Sequence, residues 1–156
     1  MVDTVSDKRR SLLFVLTAAL PALATSYRNA FGDASELIVQ PESPGDAAFV
    51  TRAFEMQRQA LQSGDQGYGA IVVRAGLIVG QSPSHVVLHQ DPTAHAEMEA
   101  IRDAARRLGT RNLSGCTLYS SSPPCPMCEA AAYWAGIERF VYGRRAQDGG
   151  SPQLCG

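Results

Sequence analysis

Two short clusters hold the residue types best suited to chemistry. His95-Ala96-Glu97 follows Asp91-Pro92-Thr93-Ala94, and Cys125-Pro126-Met127-Cys128 follows Pro123-Pro124. Cysteines three apart share one face of a helical turn, and two thiolates with one imidazole make a three-ligand zinc set whose fourth tetrahedral corner is left to water. Thiolates at a helix start gain from the positive end of the helix dipole, which lowers their pKa and favours a metal over a proton. With His95 neutral, such a Zn²⁺ site is formally uncharged, and water on it titrates near ~7. Glu97 stands two residues from His95, about 200° around a regular helix, but at an open terminus both side chains can still reach one point. A carboxylate there would pass a proton from water to a substrate nitrogen.

The elements that must hold these clusters are legible around them. Apolar residues recur at Val50, Ala53, Phe54, Met56, Ala60 and Leu61, which predicts an amphipathic helix over 47–61, capped by Asp46 and ended by Gly64. Residues 70–74 and 77–80 read as β-branched strands joined by a tight Ala75-Gly76 turn, a hairpin. Asp91 as N-cap with Pro92 at the first helical position predicts a helix through Ala94–Leu108, stopped by Gly109. A third strand covers Thr117-Leu118-Tyr119, a short helix runs from Met127 to Ala135, and a fourth strand spans 139–142. Helix, hairpin, helix, strand, helix, strand describes an α/β fold, one mixed sheet with helices packed on it.

Those motifs, in that order, resemble the cytidine and deoxycytidylate deaminase superfamily, with H-x-E followed by P-C-x-x-C. The resemblance covers about residues 47–143. Asp91–Glu97, Leu118–Ser121, Cys125–Cys128 and Ala132-Tyr133-Trp134-Ala135 are most similar to the guanine deaminase branch in bacteria, and tRNA adenosine deaminases share the first segment. The resemblance implies a three-layer α/β/α zinc deaminase, with His95, Cys125 and Cys128 holding Zn²⁺ and Glu97 as general acid/base. It implies hydrolysis of a nucleobase or nucleoside, a guanine-like purine first, with release of ammonia, and a homodimer. The chain departs from the family at Ser84-His85, where an asparagine contacting the base is common, at Pro123 in place of a usual glutamate, and at Gly67-Tyr68-Gly69-Ala70.

Other readings compete for the same residues. A structural zinc knuckle needs a fourth protein ligand, and Cys116, Cys155, His85 and His89 lack motif spacing. C-x-x-C at a helix start is also the thioredoxin-type arrangement, so an exported thiol–disulfide oxidoreductase is the rival enzyme. A zinc-holding but inactive domain is the rival of another class. His85 and His89 read as loop or surface residues, Cys116 as a buried strand thiol, and Tyr133 and Trp134 as core, with Trp134 also a pocket candidate by resemblance.

With 156 residues, 45% hydrophobic and 19% charged, the chain fits one globular domain, or one domain with an appendage, and excludes a disordered chain or coiled coil. Its net charge of -1 offers no bulk attraction to nucleic acid, and Arg106, Arg107, Arg144 and Arg145 form two small basic clusters of the kind that helix ends and tails carry routinely. The expected partner is a small molecule. Lys8-Arg9-Arg10 precedes an uncharged run from Ser11 to Ala24 that ends Ala-Leu-Ala, which predicts a signal peptide over 1–24 of twin-arginine type. That run falls short of the ~20 residues that span a bilayer. The expected location is periplasmic or secreted, and cytoplasmic if the signal is unused. Residues 25–46 read as a linker, 47–143 as the deaminase domain and 144–156 as an irregular tail.

Overall fold

In β1 (Gly69–Arg74) of the computed structural model, Ala70 and Val72 point to one face of the sheet while Ile71 and Val73 point to the other, and all four are buried. A strand apolar on both sides needs cover on both, and the helices supply it. Residues 37–154 are described. Their elements run α1 (Asp46–Gln62), β1, β2 (Leu77–Pro83), α2 (Ala96–Leu108), β3 (Cys116–Ser120), α3 (Pro126–Ala135), β4 (Arg139–Tyr142) and β5 (Gln147–Gly150). The sheet order is β2-β1-β3-β4-β5, antiparallel except between β3 and β4, which α3 joins as a βαβ crossover.

Two cores flank the sheet. On the α1 side, Phe49, Val50 and Met56 pack on Ile71, Val73, Ile78, Tyr119 and Val141. On the other side, Ala96, Ala100, Ala104, Ala132 and Ala135 meet Ala70, Val72, Cys116, Leu118 and Phe140. Both predicted helical coats are therefore in place, giving the three-layer α/β/α arrangement. Two glycines bring helix backbone down onto strand backbone. A Cβ at Gly69 would stand 2.2 Å from the Gln57 nitrogen of α1, and one at Gly80 would stand 2.5 Å from the Ala104 nitrogen of α2. The hairpin turn is Ala75-Gly76 as expected, with φ of 49° and 78°, the positive pair of a type I′ turn.

The structure differs from the sequence expectations in how two helices begin and in the tail. Helix α2 begins at Ala96, not Ala94, with His95 as its extended N-cap (φ -61°, ψ 151°). Asp91 does act as a local cap, but of a turn: its Oδ1 accepts from the Thr93 N–H and hydroxyl, both at 2.7 Å. Asp46 likewise lies inside the first turn of α1, behind Gly45 as N-cap. Its carboxylate instead accepts from the Tyr119 hydroxyl at 2.7 Å and from Arg139 Nη2 at 3.1 Å. The tail contains β5, whose residues pair with β4 and whose Asp148 binds Arg139 Nε at 3.0 Å.

Of the stretch read as a linker, Gln40 docks on the outer edge of β2. Its side-chain amide donates to the Ile78 carbonyl at 2.9 Å and accepts from the Ile78 N–H at 2.8 Å, imitating a strand. The predicted signal peptide and Cys155 lie outside the described residues. Among the described residues no helix is long and apolar enough to cross a membrane.

Candidate active site

Both motifs use the same local device. His95 and Cys125 are each the N-cap of a helix, in extended backbone conformation, so each side chain leaves its helix end sideways instead of joining the helical surface. Pro126 at the first helical position has its φ already set for α3. Cys128 follows one turn later and is fully buried. The starts of α2 and α3 thus face one spot, and both helix dipoles favour negative charge there.

The three donors form a near-equilateral triangle: 3.7 Å from Cys125 Sγ to His95 Nδ1, 3.6 Å from Cys128 Sγ to His95 Nδ1, and 3.6 Å between the sulfurs. Zn–S bonds of about 2.3 Å and Zn–N of about 2.0–2.1 Å at tetrahedral angles require edges of roughly 3.6–3.8 Å. The donor set and its spacing therefore fit zinc. Burial, then the nearby Glu97 carboxylate, pushes the Cys128 thiol far above its usual range, so a thiolate here needs a cation to hold it. Among the described residues this triad is the one group of metal-ligating side chains gathered closely enough, and Cys116, His85 and His89 stand outside it.

Glu97 sits in the first turn of α2, 5% exposed, with Oε2 at 3.6 Å from Cys128 Sγ. Because His95 is a cap and not a helical residue, the expected mismatch of 200° between the two never arises. Burial raises the Glu97 carboxyl above the ordinary carboxylate range, opposed by its own backbone N–H and by Cys128 and His95. The arrangement can hold a cation, and it sets a carboxyl group against one of the sulfurs that would ligate it.

The remaining sequence candidates fall elsewhere. Cys116 is the buried strand thiol expected, and burial pushes it up. Trp134 is 72% exposed and Tyr133 half-exposed, the two rings meeting edge to face, so neither belongs to the core: they lie on the outer surface of α3. Arg106 and Arg107 pair with the buried Asp103, and Arg144 lies over the Phe54 ring at 4.4 Å, so these arginines serve the fold. His85 and His89 stack at 4.7 Å in the loop after β2. Sequence reading missed Asp65, which accepts hydrogen bonds from that loop, and Ser121, whose hydroxyl accepts from the Gly69 N–H at 3.1 Å. Nothing local to either residue signals a partner 19 to 52 positions away.

Residues 44–144 match the family model of the cytidine and deoxycytidylate deaminase zinc-binding region. A guanine deaminase of Bacillus subtilis is 40% identical over 101 residues, covering 64% of this chain and 65% of the relative. A tRNA-specific adenosine deaminase of Aquifex aeolicus is 40% identical over 98 residues, covering 63% and 65%. The X-ray structure of guanine deaminase from Bacillus subtilis superposes with a TM-score of 0.59 at 40% identity over 61% of each chain. The matched stretch thus spans just under two thirds of these relatives' own lengths.

Proposed function

The chain belongs to the cytidine and deoxycytidylate deaminase family, and from that premise we propose that it hydrolyses the exocyclic amine of a free nucleobase or nucleoside, a guanine-like purine first. Water replaces the amine on the ring carbon, and ammonia leaves. The observation that carries this reading is a buried carboxylate, Glu97, set beside a His95–Cys125–Cys128 triangle of zinc dimensions. Zinc bound there supplies Lewis-acid activation of water near neutral pH. Glu97 takes the first proton that the water gives up and delivers it to the ring nitrogen, then takes the second from the hydroxyl now on the ring carbon and delivers it to the departing amine as the carbonyl forms. His95 and the two cysteines hold the metal, and the caps that carry His95 and Cys125 keep their side chains aimed.

Equal identity to a guanine deaminase and to a tRNA-specific adenosine deaminase supports a second substrate reading, adenosine within RNA. The net charge of -1 and the arginines committed to Asp103 and Phe54 favour the small molecule. Measuring ammonia release from nucleobases, nucleosides and tRNA on zinc-loaded protein separates the two. Turnover of guanine or another free base supports the proposal, turnover of tRNA alone replaces it, and no ammonia from any of them despite full zinc favours an inactive binding domain. A protein that holds no zinc and reduces a test disulfide is the oxidoreductase instead.

Export and dimerisation belong to the same proposal. Lys8-Arg9-Arg10 and the uncharged run after it support twin-arginine export. A reporter fused after residue 40 is expected to reach the periplasm and to stay inside once Arg9 and Arg10 become Lys. Light scattering of the zinc-loaded chain should return twice its 16.7 kDa mass.

A further inference from the structure

Between α1 and β1 the chain buries a carboxylate that the chemistry above does not use. Asp65 is 7% exposed. Its Oδ1 accepts from the Gln66 N–H at 2.7 Å and from the Ser84 hydroxyl at 2.8 Å, and its Oδ2 accepts from the N–H groups of Val87 and Leu88, both at 2.9 Å. All four partners donate, so a carboxylate suits this position and an amide, which must aim its own N–H at one of them, does not. Three of the four belong to the loop that leaves β2.

That loop runs straight into a metal ligand. His85 N–H donates to the Ala94 carbonyl at 3.0 Å, closing the loop at the residue before His95, and Asp91 N–H donates to the Val86 carbonyl at 3.1 Å. The segment carrying Asp65 is stitched in turn to both sides of the site: Ser84 N–H donates to the Tyr68 carbonyl at 3.1 Å, and Ser121 N–H donates to the Gly69 carbonyl at 2.9 Å, four residues before Cys125. Ser84 itself is fully buried, with its hydroxyl spent on Asp65. In the Ser84-His85 pair, the serine therefore shapes the loop from within.

We propose that Asp65 is a positioning residue for the proposed deamination: its two oxygens fix the backbone of residues 84–88, so that the loop entering His95 presents one shape to the substrate base. The kinetic part rests on the deaminase reading, whereas the clamp itself does not. The carboxylate acts through the loop and touches neither metal ligand nor Glu97.

The test compares zinc-loaded wild type with Asp65→Asn and Ser84→Ala. In Asp65→Asn, amide exchange at Val87 and Leu88 should quicken at least about tenfold, as expected for roughly 1.4 kcal/mol or more of lost hydrogen bonding. Exchange at Ile71 and Tyr119 should not change, nor should zinc per chain. With guanine as probe, KM should rise about tenfold while kcat stays within about twofold, and Ser84→Ala should show the same split at about threefold in KM. A purely structural role would lower folded yield and leave KM alone, which overturns the proposal, as does unaltered exchange at Val87 and Leu88. If Asp65→Asn does not fold, Ser84→Ala carries the same comparison. If wild type releases no ammonia from any base, the deaminase reading fails, while the exchange data still decide the clamp.

Discussion

The two faces of the sheet are built from different materials. On the α1 side the core is large and branched or aromatic: Phe49, Met56, Ile71, Ile78, Tyr119 and Val141. On the other side it is mostly alanine where the helices touch, with Ala96, Ala100, Ala104, Ala132 and Ala135 along α2 and α3. Small side chains let helix backbones sit close to the strands and fix the positions of their ends, and it is the ends of α2 and α3 that carry His95, Glu97, Cys125 and Cys128. Large side chains bury more apolar area per residue, so the α1 face contributes more of the stability at each position. The difference teaches that one face aims the side chains of the candidate site while the other holds the molecule together.

Substitutions should separate these two contributions. The largest effect is expected at Glu97→Gln, which keeps zinc and lowers ammonia release by about 10²–10⁴-fold. A variant with wild-type turnover would show that the carboxyl is a bystander. Cys128→Ser should instead lose the metal, read as zinc per chain after dialysis, and chelator treatment of wild type should abolish activity that added zinc restores. On the opposite face, Met56→Ala, at a side chain only 2% exposed, should cost about 2–5 kcal/mol in chemical denaturation and leave turnover per folded molecule unchanged. Lost turnover without lost stability would collapse the distinction between the faces.

The smallest effect is expected at Tyr119→Phe, which removes the hydroxyl bound to Asp46. The hydrogen bond is part-exposed, and its loss should cost about 1 kcal/mol. It should also change the pH dependence. The Tyr119 hydroxyl first, and then Arg139, hold the Asp46 carboxyl below its ordinary value. That carboxylate therefore stabilises the fold above the usual carboxylate range of about pH 4, and the contribution is lost as pH falls through the lowered pKa. Melting curves taken from pH 7 down to pH 3 should show a shallower acid-side decline in the variant.

How much of this was legible in advance follows from the range over which each residue acts. The gathering of His95, Cys125 and Cys128 was legible because residue type and order resemble a family motif, whereas the place of Glu97 was not given by spacing, which sets it about 200° from His95 on a regular helix. The hairpin was legible because its strands are apolar and β-branched around Ala75-Gly76. The start of α2 could not, since Asp91-Pro92 is a true capping signal that closes a turn (Asp91 with Thr93) and leaves His95 free to cap the helix. Strand β5, Gln-Asp-Gly-Gly, has no apolar residue to mark it and exists through pairing with β4 and the Arg139–Asp148 contact. Asp65 and Asp46 both look like ordinary loop or cap residues, because their partners are brought to them only by the finished fold.

Gln40 has a bearing on solubility that is separate from catalysis. Strand β2 is the last in its sheet, and an uncovered last strand is a template onto which another molecule's strand can add. By occupying both backbone groups of Ile78, the glutamine side chain blunts that template near its start. A chain trimmed past this residue would keep every group of the reactive centre and still be prone to self-association, so preparations lacking the segment ahead of α1 should be judged by how long they stay dispersed as well as by what they turn over.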